Sequence, residues 1–120
     1  MKDELKDRLE TMPKKIFDKE MELLDKVDAY DESLLKEKNI ELKTYFEVEA
    51  ETDPAGKKVF TNDTKRKAET DKRLEVNADY VTLKEQSKIA KREIEVEKLA
   101  IAFLKRKLKS ARALAELEIS

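Results

Sequence analysis

A single glycine, Gly56, divides this chain. It sits in "ETDPAGKKVFTNDTKR", Glu51 to Arg66, two residues after Pro54, one of only two prolines. A sheet protein needs turn residues at short intervals. One Gly and two Pro in 120 residues cannot supply them, so the chain is restricted to long helices with one main reversal. The expected fold is all-α: a long antiparallel helical hairpin, coiled-coil-like, in one domain. Its first helical arm covers about 2–51, the turn 52–63 and the second arm 64–119.

Apolar spacing supports both arms. In the first, Leu23, Leu34 and Tyr45 recur every 11 residues, as do Leu24, Leu35 and Phe46, and Leu5, Ile16 and Val27. That period is about 3.67 residues per turn and suits a nearly straight helix pair. Pro13 either starts a helix after a short preceding one or kinks a continuous helix. The second arm carries a heptad. Leu83, Ala90, Leu104 and Ala111 take one seam position; Tyr80, Ile94, Ile101, Leu108 and Ala115 take the other. Ser87 and Glu97 interrupt the seam. Asn77 is a candidate cap, where a short helix from about Thr64 to Val76 would kink or restart.

The break itself has turn chemistry. Pro54 presets φ, Gly56 can adopt a left-handed conformation, and Thr61, Asn62 and Asp63 are N-cap candidates. A hairpin in which residue i faces residue 115 − i lays 2–51 against 64–113. Charge fits that register. Lys105, Arg106, Lys107, Lys109 and Arg112 would oppose Asp3, Glu4, Asp7 and Glu10. Lys65, Arg66 and Lys67 would oppose Glu47, Glu49 and Glu51.

One seam does not absorb all the apolar residues. Ile89, Val96, Phe103 and Leu117 form a further column, broader than a two-stranded pair needs. Self-association into a helical bundle, most simply as a dimer, would bury it.

Composition narrows the functions. Charged residues are 46% of the chain, 27 basic against 28 acidic, which describes a solvated helical surface rather than a charged tail. There is no Cys and no His, so thiolate chemistry and the commonest general base and metal ligand are missing. No cofactor or metal is expected, and an enzyme is not. No apolar run approaches the ~20 residues of a membrane span. "MKDELKDRLE" lacks the apolar segment of a signal peptide, so a cytoplasmic location is expected.

From Gly56 onward the chain resembles a group of small helical proteins of Gram-positive phages and prophages. The resemblance rests on Thr61, Asn62, Arg66, Lys67, Leu74, Asp79 and Tyr80, followed by a long charged helix. It implies a setting near phage replication and recombination functions, in a host cytoplasm, and no mechanism.

Four features are candidate sites. Lys57, Lys58, Phe60, Asn62, Lys65, Arg66 and Lys67 cluster at the tip, where Lys and Arg suit phosphates and Phe60 suits an unpaired base. Against this, Phe60 can fold back as a plug, and Asn62 and Arg66 can serve the loop itself. The basic run Lys105 to Arg112 can bind a membrane or nucleic acid, or pair with the acidic N-terminus. The acids Asp18, Glu20, Glu22, Asp25, Asp28, Asp31 and Glu32 can imitate a phosphate backbone or form a wet face. The outer column Ile89, Val96, Phe103 and Leu117 is the candidate self-association face. The favoured function is a non-enzymatic structural or protein-interaction module. The alternative is a nucleic-acid-binding accessory acting through the tip.

Overall fold

The computed structural model describes residues 3–119. Three helices are present: α1 (Asp3–Ala50), α2 (Asp63–Glu75) and α3 (Ala78–Ile119). The fold is all-α, a long helical hairpin. Among the described residues the one β feature is an isolated antiparallel bridge, Thr52 to Lys58. Two compact units are present: Met1–Ala29 with Ala90–Ser120, and Tyr30–Ile89.

α1 runs through Pro13 without interruption. Its buried and half-buried positions in the first unit are Leu5, Leu9, Met12, Ile16, Lys19, Leu23, Lys26 and Val27. Apart from Val27 they alternate by four and three residues, which is heptad spacing. Of the 11-residue series, Leu5, Ile16 and Val27 lie on the buried face, but the recurrence as a whole does not describe it. Leu24, Leu35 and Phe46, one of its series, are each more than half exposed. The reason is the partner. α3 presents a seam of period 3.5, and a facing helix must keep the same period to stay in contact with it.

The α3 heptad matches its burial. Tyr80, Ser87, Ile94, Glu97, Ile101, Leu108, Ala111 and Ala115 are buried, and Leu83, Ala90 and Leu104 are half-buried. In the first unit Leu5 packs with Ala111 and Ala115, and Met12 and Ile16 pack with Leu108. Small residues at 111 and 115 let the backbones approach at that end.

These contacts revise the register. The charge-matched register would set Ile16 against residue 99 and Lys26 against residue 89. Ile16 instead meets Leu108, and Lys26 meets Glu97. Taken over all the contacts, with Leu5 against Ala111 and Ala115, Leu108 between Met12 and Ile16, and Glu97 between Lys19 and Lys26, the slip is roughly one and a half helical turns. Surface charge could not set the register, because exposed pairs are worth only ~0–1 kcal/mol while seam residues are worth more when buried. The expected charge partners differ accordingly. Glu4 pairs with Arg8 in its own helix, and Lys105 approaches Glu20 at 3.9 Å. Near the turn, Arg73 rather than the 65–67 cluster reaches Glu51.

The connection from α1 to α2 is a small built loop. Gly56 N–H donates to the Asp53 carbonyl at 2.9 Å, closing a turn with Pro54 at its second position. Asp53 Oδ1 accepts from the backbone N–H of Ala55 and of Lys57, each at 2.9 Å. Asp53 N–H donates to Lys57 O at 2.8 Å, and Val59 N–H to Glu51 O at 3.0 Å. Gly56 has φ 81, the left-handed region. A Cβ there would meet nothing within 4 Å. Gly56→Val should therefore lose stability through backbone strain alone, about 1–2 kcal/mol. Gly56→Asn, which tolerates this region, should lose less. Thermal unfolding of the two variants side by side measures the difference.

Asn62 caps α2, its Oδ1 accepting from Lys65 N–H at 2.9 Å. The second arm then breaks. Asn77 N–H donates to Leu74 O at 3.1 Å, and Asn77 Oδ1 accepts from Tyr80 N–H at 3.0 Å. Asn77 thus ends one helix and caps the next. Thr70 and Leu74 are the buried residues of α2, while Val48 near the end of α1 is completely buried.

Candidate interaction surfaces

The basic tip is largely committed to holding itself together. Lys58 Nζ donates to the Glu49 carbonyl at 3.0 Å, satisfying one of the last carbonyls of α1. Arg66 is half-buried, and its Nε donates to Phe60 O at 3.3 Å. Lys67 pairs with Asp63 at 3.0 Å in the first turn of α2. Phe60 is half-buried, with the Arg73 guanidinium 6.0 Å from its ring centre. Arg73 is itself clamped by Glu51 and by Glu69. Asn62 is occupied as the cap of α2. Lys57 and Lys65 are exposed, and their side chains enter no ion pair among the described residues. The tip brings Lys58, Phe60, Arg66 and Arg73 into one network, and each contact reduces the free cationic surface offered to a phosphate.

Asp63 sits at the middle of a second network. Its Oδ1 accepts from the Tyr45 hydroxyl at 2.9 Å and its Oδ2 pairs with Lys67. The Lys67 ammonium, and then the Tyr45 hydroxyl, hold the Asp63 carboxyl below its ordinary value. A carboxylate that is already donated to twice, at a helix N-terminus, is a structural anchor rather than a base.

An open groove of about 360 Å³ lies in the second unit, between Glu41, Leu42 and Tyr45 of α1 and Thr70 and Leu74 of α2. Tyr80 lines it and donates its hydroxyl to Glu41 Oε1 at 2.6 Å. Burial, and then the carboxylate that holds its proton, push the Tyr80 phenol above its ordinary value. That direction keeps the proton on Tyr80 and makes it a poor acid or nucleophile at neutral pH. This groove is not legible in the sequence, because α2 covers α1 only once Asn77 has broken the second arm.

The seam holds a polar layer. Glu97 is 6% exposed, and Lys26 Nζ donates to its Oε2 at 3.0 Å. Lys19 approaches its Oε1 at 3.5 Å. The hydrogen bond from Lys26, and then the charges of both lysines, hold the Glu97 carboxyl low in spite of its burial. In the sequence Glu97 stood out only as a defect in the heptad. Lys19 and Lys26, seven residues apart on the opposite seam, were the missing signal. Glu37 and Ser87 are also buried in the seam, at 5% and 6% exposure.

The outer column of α3 stands in water. Ile89 and Val96 are each 58% exposed and Phe103 55%, and Leu117 is exposed as well. The Lys107 ammonium lies 5.0 Å from the Phe103 ring centre. α1 carries its own outer stripe of Phe17, Met21 and Leu24, all exposed, which the sequence-based expectation did not single out. Its spacing of four and three hid it behind the 11-residue recurrence.

No helix among the described residues is long and apolar enough to cross a membrane. Comparison of the chain with protein-family models, with curated proteins and with solved structures gives no match.

Proposed function

We propose that the protein is a non-enzymatic interaction module that self-associates through the outer apolar column of α3. One observation carries this. Ile89, Val96 and Phe103 repeat every seven residues along one line of α3, and each is more than half exposed, although the seam of the same helix is already filled. Isolated exposed apolar residues are ordinary, but a periodic stripe of large ones marks a surface meant to be covered. The outer faces of the helices then recruit partners. The resemblance to phage and prophage proteins supplies a setting for it, a host cytoplasm during phage DNA replication or recombination.

The test is sedimentation equilibrium. The wild-type chain should associate in the micromolar range. Phe103→Asp should shift it towards monomer, because burying an unpaired carboxylate costs several kcal/mol. The variant should keep its helix content, since Phe103 lies outside the seam. A wild-type chain that stays monomeric at high micromolar concentration would remove the proposal.

A further inference from the structure

We infer that the second copy docks on the outer face of α3 with its own α3, antiparallel about a two-fold axis at Ile101, so that Leu99 of each copy packs on Phe103 of the other. This rests on the self-association just proposed and specifies its partner surface and register.

The outer face of α3 is a second heptad, on the side away from Ile94, Glu97 and Ile101. Val96 and Phe103 take one of its positions, and Arg92, Leu99 and Arg106 take the other. Val96, Leu99 and Phe103 are exposed. Two columns flank this stripe, at the positions where ion pairs choose partner and orientation in a helix pair. Lys88, Glu95, Ala102, Lys109 and Glu116 form one, and Glu93, Ala100 and Lys107 the other. Lys91, Lys98 and Lys105 lie further round the helix. The stripe is thus bordered by the acids Glu93 and Glu95 at its Val96 end and by the bases Lys107 and Lys109 at its Phe103 end. Arg92 offsets one acid, and Arg106 adds to the bases.

A parallel copy would set acids on acids and bases on bases, and like-charge juxtaposition discriminates strongly between arrangements. An antiparallel copy joins opposite signs. In the register that sets Leu99 on Phe103 of the second copy, Val96 meets the stem of Arg106, Glu95 flanks Lys109 and Glu93 flanks Lys107. The two-fold axis makes each of these contacts twice. It also sets Ala100 and Ala102 against their own copies, and both are small and uncharged. Glu93 and Lys109 enter no ion pair among the described residues. Glu95 pairs with Lys98 of its own helix at 3.5 Å, an exposed contact worth little.

Other antiparallel registers lose this match. A slip of one heptad sets Lys88 against Lys109 in one direction and Glu95 against Glu116 in the other. A slip of two sets Glu95, or Lys109, against its own copy. Flanking charge decides here although it does not in the seam between α1 and α3. Registers of that seam differ in which large side chains they bury. On the outer face, the register that sets Val96 on Leu99 covers the same three apolar residues, so the flanking charges are what separate the two.

Charge reversal tests the arrangement. Glu93→Lys with Glu95→Lys makes both ends of the stripe basic, and Lys107→Glu with Lys109→Glu makes both acidic. All four positions are exposed, and circular dichroism checks that helix content is unchanged. By sedimentation equilibrium each double variant should associate ~tenfold or more weakly than the wild type, because each attraction becomes a repulsion. The chain carrying all four changes should recover association, since its two ends again differ in sign. Phe17→Asp, on the outer stripe of α1, should leave association unchanged. Spin labels on single cysteines read the direction. With the axis at Ile101, labels at Lys98→Cys lie ~9 Å apart along the helices and labels at Lys91→Cys ~30 Å, at about 1.5 Å of rise per residue. The measured distance should therefore lengthen from the first site to the second, whereas parallel docking gives equal distances. Unweakened double variants, no recovery in the fourfold variant, equal label distances, or loss of association in Phe17→Asp would each overturn antiparallel α3 docking while leaving self-association standing. A monomeric wild type would overturn both.

Discussion

Leu108→Ala should lower stability by about 2–5 kcal/mol, the usual cost of truncating a buried leucine to alanine. Leu108 is 7% exposed and packs with Met12 and Ile16, with Leu9 and Leu104 against the same cluster. A two-helix pair has no third layer that could collapse into the space, so the cavity should persist and the cost should lie towards the upper part of that range. A loss of that size corresponds to a fall in Tm of ~10 °C or more for a domain of this length. Leu99→Ala, about two and a half turns of α3 away on the outer stripe and 68% exposed, is the control and should change monomer stability by less than ~0.5 kcal/mol. Thermal melts at low protein concentration, where association is absent, separate the two. Equal effects at the two positions would mean that the seam is not the core.

The largest change in specificity should come from the Glu97 layer. Replacing Lys19, Lys26 and Glu97 together by leucine should leave Tm unchanged or raise it, because apolar residues packed in place of a buried ion pair are often neutral or stabilising. The same triple variant should lose its single register. A continuous apolar seam tolerates a slip of one heptad, whereas a charge in the seam must find its counter-charge. The chain has no native Cys, so spin labels at Lys15→Cys and Arg112→Cys report that register alone. One narrow distance is expected in the parent and a broad or split distribution in the leucine variant. Lys19→Leu with Lys26→Leu, which leaves Glu97 buried without a counter-charge, should instead destabilise clearly, by several degrees in Tm.

The pH dependence of the layer has a definite sign. Glu97 is held below its ordinary 4.5, so its contribution is fully present above pH 4.5 and is lost as pH falls through the lower folded value. Lys26 is held above its ordinary 10.5, so its contribution is present below pH 10.5 and is lost as pH rises through the higher folded value. The layer is intact throughout the neutral range. The leucine triple variant should therefore lose less stability than the parent between pH 4.5 and more acidic conditions.

Much of this architecture is legible in the residues themselves. The single Gly56, the Pro54 turn and the Asn62 and Asn77 caps mark the element boundaries because they act on the backbone locally. The α3 seam is legible because its heptad is a property of one helix. The buried face of α1 is not. Its sequence supports two periods, and only the helix packed against it selects the heptad. Register is decided at the same level. Charge matching along the sequence favours one alignment, but exposed pairs contribute too little to hold it. Leu108 between Met12 and Ile16, and Glu97 between Lys19 and Lys26, set another alignment because their burial is worth more. The tip follows the same rule: its cations are visible in the sequence, but the carbonyls and carboxylates that occupy Lys58, Arg66 and Lys67 are brought to them only by the folded loop. Composition and local propensity thus determined that this chain is a helical hairpin and where it turns. Which residues face each other, and which faces remain open to a second molecule, were decided by long-range packing between segments far apart in the sequence.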